Sequence, residues 1–177
     1  MPRCVAFLRA VNVGGRVVKM DALRKIFDSM GLADVESFIA SGNVVFSSKG
    51  VKGLDVKIAA GLERALGYEV PTFVRTAGEI ADLAAQRPFA ERDVAAFPTY
   101  LVGFLSKNLD AAGVERLSLI SSPDDRFHVL GRDFWWLSKH HQARPAITGR
   151  QLEKALGQPT TLRNVNTIRR IAERFAS

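Results

Sequence analysis

The stretch Ile39-Ala40-Ser41-Gly42-Asn43-Val44-Val45-Phe46 constrains the fold more than any other part of this chain. Two apolar runs rich in β-branched and aromatic residues flank Ser41-Gly42-Asn43, which are turn-type residues. Gly42 and Asn43 tolerate positive φ best, and the tight primed turns of hairpins require it. The spacing predicts a β-hairpin with arms over residues 35–40 and 44–48, turning at Gly42-Asn43. Ser41, Ser47 and Ser48 then read as turn and edge residues, since none sits on the strained elbow of a hydrolase nucleophile.

The elements around this hairpin follow from periodicity. Residues 4–10 read as a strand apolar on both sides, with Cys4, Ala6 and Leu8 on one face and Val5 and Phe7 on the other. Asn12-Val13-Gly14-Gly15 breaks that pattern. Met20, Leu23, Ile26, Phe27 and Met30 recur at helical spacing, with Gly31 at the C′ position. Leu54, Ile58, Leu62 and Leu66 form a second amphipathic stripe, stopped by Gly67. Residues 70–75 read as an edge strand because of Pro71. The order is β-α-β-β-α-β, the ferredoxin-like unit, in which the first and third strands are central. Thr76-Ala77-Gly78-Glu79 is a capping-box pattern opening a helix that ends before Pro88.

Residues 88–97 are expected to link an N-terminal part, 1–87, to a C-terminal part, 98–177. The second part repeats the rhythm: a strand over residues 100–105, a helix over 109–117, and a hairpin turning at Gly131-Arg132-Asp133. Thr148-Gly149-Arg150-Gln151 is a second capping box, opening a helix ended by Gly157 and Pro159. No clear fourth strand follows. Asn164 or Thr161 caps a last helix with Ile168, Ile171, Ala172 and Phe175 as its buried stripe. The expected fold class is therefore α+β: two ferredoxin-like subdomains packed together, the second incomplete, plus a C-terminal helix. A length of 177 residues suits this and allows a real core.

Several motifs together resemble the domain-of-unknown-function 1697 family. Phe7-Leu8-Arg9-Ala10-Val11-Asn12-Val13-Gly14-Gly15, Lys19-Met20 and the hairpin stretch are similar to its N-terminal signature. Leu152-Glu153-Lys154-Ala155-Leu156-Gly157 and Thr161-Leu162-Arg163-Asn164-Val165-Asn166-Thr167-Ile168 are similar to its C-terminal one. Val165 departs from the family's frequent aromatic residue, and Leu162 from its usual alanine. The resemblance implies a small bacterial cytoplasmic protein built from a pair of ferredoxin-like subdomains. It implies no activity and so no catalytic residues.

Charge points to the partner. Residues 139–177 hold eight Lys and Arg against two acids, which is most of the formal +7. An exposed basic surface is expected from Arg144, Arg150, Lys154, Arg169 and Arg170, with a purely solvated face as the alternative. Gly14-Gly15-Arg16 before a helix reads either as an anion nest or as a flexible turn; neither the P-loop nor the dinucleotide fingerprint is present. Arg163-Asn164-Val165-Asn166-Thr167 reads either as an anion clamp or as an elaborate N-cap. Trp135 and Trp136 alternate across a strand, so one is either exposed beside Lys139, His140, His141 and Arg144, or both are covered.

Other chemistry is absent from the pattern. The three histidines, His128, His140 and His141, lack neighbours at ligand spacing, so no metal is expected, and no cofactor. Nothing in the sequence pairs His140 or His141 with an orienting carboxylate. The single Cys4 reads as a small buried hydrophobe. The chain shows no signal-peptide pattern and no apolar run of about 20 residues, so a cytoplasmic location without membrane insertion is expected. The RNA-recognition motif's basic-glycine-aromatic pattern is missing from the central strand.

Three functions remain. The first is binding of an anionic ligand, nucleic acid or a phosphorylated small molecule, through the basic C-terminal segment. The second is an enzyme with a crevice between subdomains using Arg9, Asn12, Arg163 and Asn166, to which Gly14, Gly15 and Asn164 are neighbours. The third is a protein-interaction module or homodimer.

Overall fold

The computed structural model describes residues 1–12 and 14–176, with Ser41 by its backbone alone. The described residues form two four-stranded antiparallel sheets and seven helices, an α+β architecture. Two compact units are distinguished: residues 1–84 with 169–177, and residues 85–168.

Unit 1 begins β1 (Arg3–Leu8), α1 (Met20–Ser29), β2 (Ala33–Phe38), β3 (Ala40–Ser47), α2 (Leu54–Leu66), β4 (Thr72–Thr76) and α3 (Ala77–Ala85). Its sheet runs β2-β3-β1-β4, so β1 and β3 are central and the Pro71-led strand is an edge. One face of β1, Cys4, Ala6 and Leu8, packs with Val44 and Phe46 under Leu23 and Phe27 of α1 and Ile58 and Leu62 of α2. Val5 and Phe7, on the opposite face, are buried too, as a strand apolar on both sides demands. Gly31 and Gly67 end α1 and α2 with φ of 79° and 80°. The Thr76–Glu79 capping box is formed: Thr76 N donates to Glu79 Oε2 at 2.8 Å, and Glu79 N to Thr76 Oγ1 at 3.2 Å.

The hairpin exists, but its turn lies elsewhere. Phe38 pairs with Ala40, and Ile39 between them carries the left-handed φ of 69°. Gly42 and Asn43 lie inside β3, where Asn43 is buried opposite Phe7 of β1. Pairing with β1 extends the strand through the turn-type residues and moves the reversal three residues back. Asn43 still serves the turn, since its Nδ2 donates to Phe38 O at 3.2 Å. Val13, in the break after β1, and the side chain of Ser41 lie outside the described residues.

Unit 2 opens with α4 (Glu91–Ala96), which occupies the stretch expected to link the two parts. Asp93 of α4 binds Arg126 at 2.9 Å, and that guanidinium also lies over the Phe97 ring. Then come β5 (Thr99–Phe104), α5 (Ala111–Ile120), β6 (Asp125–Leu130), β7 (Asp133–Ser138), α6 (Gly149–Leu156), β8 (Thr161–Asn164) and α7 (Val165–Phe175). The sheet order is β6-β7-β5-β8. This corrects the expectation of an incomplete second half. Thr161, read as a possible cap, belongs to a fourth strand antiparallel to β5; only Asn164 caps, with its Oδ1 accepting from Asn166 N at 2.9 Å.

The unit 2 core joins Leu101, Phe134 and Trp136 of the sheet to Leu117 of α5 and Leu152 and Leu156 of α6. Gly103 is required by this packing: a Cβ there would lie 2.1 Å from the ring of Phe134 on the neighbouring strand. The second capping box is also formed, with Gln151 N donating to Thr148 Oγ1 at 3.2 Å and Thr148 N to Gln151 Oε1 at 2.9 Å. Helix α7 starts in unit 2, and its last turns belong to unit 1. There Phe175 meets Phe38 of β2 edge to face, and Arg174 lies 3.6 Å from Glu36 and over both rings.

Candidate functional site

The N-terminal candidates sit in the loop after β1, in unit 1. Arg9 N donates to Pro71 O at 3.0 Å, continuing the β1–β4 pairing one residue past the strand. Asn12 Oδ1 accepts from Val18 N at 2.7 Å and closes the loop on itself. Gly14 and Gly15 both take left-handed φ, 65° and 79°. Arg16 stacks 4.1 Å over the Tyr68 ring, whose hydroxyl donates to Val11 O. The loop is thus closed on itself by Asn12 and tied to Pro71 and Tyr68 through Arg9, Val11 and Arg16.

Arg163, Asn164 and Asn166 belong to unit 2. Arg163 lies on β8 opposite Val102, and its Nη1 donates to Thr161 Oγ1 at 2.7 Å and Leu162 O at 2.8 Å. Burial lowers its pKa to about 10, so it stays charged at neutral pH while turned onto its own strand. Asn164 and Asn166 form the N-cap of α7, the plainer of the two readings of that motif.

The basic residues divide. Arg144, Arg150 and Lys154 are exposed in unit 2 and hold no ion pair among the described residues. Arg150 and Lys154 share the face of α6 away from buried Leu152, Ala155 and Leu156. Glu153, the one acid on α6, accepts from Thr160 N through Oε1. Arg170, in unit 1, is exposed with its guanidinium 5.8 Å from the Phe38 ring. Arg169 departs from expectation: it is half-buried, and its Nε is buried without a hydrogen-bond partner. It stands one helical turn after buried Val165 and next to buried Ile168, so it borders the apolar stripe.

The exposed-tryptophan reading is overturned. Trp135 is 1% and Trp136 5% exposed, because β7 is a central strand. Trp135 packs against His128 across the β6–β7 pair. Trp136 stacks on Phe127, and its Nε1 donates to Asp125 Oδ1 at 3.0 Å. The other carboxylate oxygen of buried Asp125 lies 3.6 Å from His140 Nε2. The carboxylate companion for His140 that the sequence does not show is therefore Asp125. The backbone of His140 is fixed from both sides: its N–H donates to Ser138 Oγ at 3.0 Å, and its carbonyl accepts from Thr99 Oγ1 at 2.7 Å.

Thr99, Trp136, Ser138 and His140 edge a cavity of about 140 Å³ at the loop from β7 to α6. Its apolar wall is Leu101, Trp136, Ile147, Leu152 and Leu162, and His140, His141 and Gln142 line it from the loop. A larger open groove of about 550 Å³ follows α5 and edge strand β6, past Leu117, Ser118, Phe127 and His128. Its one cation, Arg126, is held by Asp93. Among the described residues no three His, Cys, Asp or Glu side chains are grouped to hold a metal ion. Among them, too, no helix is long and apolar enough to cross a membrane.

The family model for proteins of unknown function DUF1697 matches residues 1–135. The chain belongs to this family. The match takes in unit 1's loop and hairpin and ends at Trp135, so the DUF1697 assignment rests on residues before His140, α6 and α7. The conserved bacterial protein SP0830 from Streptococcus pneumoniae has a similar structure, with a TM-score of 0.72 and 22% identity. The alignment covers 100% of this chain and 99% of that one, which shows a shared fold. No curated protein matches the sequence.

Proposed function

We propose that this DUF1697 protein binds a small anionic molecule through unit 2, with Arg144, Arg150 and Lys154 supplying the attraction. The observation that carries this reading is that these three cations stand exposed and unpaired in the stretch holding most of the chain's net charge. A cavity of about 140 Å³ lies in the same stretch, a size that favours a small molecule over a polymer lying along the surface. The crevice enzyme gains no such support, because Arg163 is turned onto Thr161 and Leu162. Strand orders β2-β3-β1-β4 and β6-β7-β5-β8, each with two helices between its strands, support two ferredoxin-like units as the scaffold.

The test is a titration of the ¹⁵N-labelled chain with inorganic phosphate at low salt. Saturable shifts in the amides of residues 140–154 are expected, and the triple variant Arg144→Ala, Arg150→Ala, Lys154→Ala should abolish them. A duplex oligonucleotide titrated in parallel is expected to bind weakly. Tight binding with a salt slope of about −0.9 per phosphate contacted would replace the small-molecule reading with nucleic acid. No saturable shift with either probe would remove the anion reading altogether.

A further inference from the structure

We infer that the cavity under the β7–α6 loop is a binding site for a single aromatic ring carrying one carboxylate or phosphate. The inference rests on the anion reading above and names the ligand class for it. Three observations converge. The first is size: an apolar cavity of about 150 Å³ is enough to hold benzene in a protein interior, and this one measures about 140 Å³. The wall is that of an aromatic slot, with the Trp136 indole held in place by Phe127 and by its bond to Asp125.

The second is an unused donor. Ser138 lines the cavity at 2% exposure, and its Oγ accepts from His140 N. Its hydroxyl hydrogen donates to no acceptor among the described residues, although buried hydroxyls almost always do. A ligand oxygen in the cavity supplies that acceptor. Thr99, the other hydroxyl of the lining, is by contrast already bonded to His140 O.

The third is charge at the entrance. Gln142, Pro145 and Gly149 line the cavity, and Arg144 and Arg150 are the exposed sequence neighbours of the last two. A ring seated on Trp136 with its anionic group toward Ser138 and the loop meets donors at one end and apolar wall at the other. A neutral ring satisfies only the wall.

The experiment titrates the full chain with benzoate, phenyl phosphate and benzyl alcohol, following the indole N–H signal of Trp136. Benzoate or phenyl phosphate should shift it saturably with a Kd of about millimolar, as expected for a ligand of this size. Benzyl alcohol should bind roughly tenfold more weakly, and Ser138→Ala should weaken benzoate by roughly tenfold, the effect of one hydrogen bond to a charged group. Ser138→Ala removes a single oxygen, so its fold is checked by an unchanged spectrum elsewhere. Leu152→Phe, which fills the cavity, should abolish the shift.

An unmoved Trp136 signal with both anions overturns the inference, and equal binding of benzyl alcohol or an indifferent Ser138→Ala variant overturns the assigned class. If inorganic phosphate shifts residues 140–154 while benzoate leaves Trp136 unmoved, the cavity site fails and the anion surface stands. If neither acts, both fail.

Discussion

Asp125 does two things in one place: it accepts the indole N–H of Trp136 and faces the His140 ring. Asp125→Ala would leave a buried indole donor without an acceptor, and should cost about 1–3 kcal/mol by urea denaturation. Asp125→Asn keeps an acceptor and should cost less. The pair was legible in principle. Once Gly131-Arg132 is taken as the hairpin turn, register alone puts Asp125 opposite Ser138 and Phe127 opposite Trp136. Residue type concealed it, because Pro123-Asp124-Asp125 ahead of Phe127 reads as a loop. Cys4 was legible as a buried hydrophobe, and burial, then the Glu79 carboxylate, push its thiol up. The folded chain therefore holds this proton more tightly than the unfolded one, whose thiol titrates near 9.0. The stability this contributes is complete below that pH and is lost as pH rises above it. Urea midpoints at about pH 8 and about pH 10 should fall more for the native chain than for Cys4→Ala.

Elements with a strong period or a side-chain cap were readable, and those defined by pairing were not. Both capping boxes form as their spacing dictates, because the bonds join residues three apart and need no tertiary partner. Strand β8 is four residues, Thr-Leu-Arg-Asn, too short for alternation to show, and two of its residue types also serve as caps. Its identity comes from β5, which offers an edge for it to pair with. The β2–β3 turn was displaced for the same reason: β1 recruits Asn43 into the sheet and leaves Ile39 to reverse the chain. Helix α7 tests how far an element can serve a unit that it does not follow in sequence. A chain cut after Ile168 loses Arg174 against Glu36 and Phe175 against Phe38. Backbone amides of edge strand β2 should then exchange with solvent at least about tenfold faster, the equivalent of losing one packed contact of about 1.4 kcal/mol. Unchanged protection of β2 would show that the last turns of α7 contribute nothing to its stability.

For the whole molecule, composition and charge carried the functional reading and topology carried the fold. The concentration of cations in residues 139–177 pointed to an anion, and Arg150 and Lys154 are exposed as the helix period requires. Arg169 is half-buried because Val165, which lies in the capping motif rather than in the Ile168–Phe175 stripe expected from the sequence, joins the buried face of α7. One property of the molecule bears on how it is made. Unit 1 is discontinuous: its body is residues 1–84, and its remaining piece is residues 169–177, with the whole of unit 2 between them. Proteins commonly acquire structure from the N-terminal end as they leave the ribosome. Here unit 1 must wait, with Phe38 lacking its Phe175 partner, until residues 169–177 are translated, while every residue of unit 2 has already been made. Of the two units, the one begun first is the one completed last, and the period of its exposure is set by the rate of translation of the other.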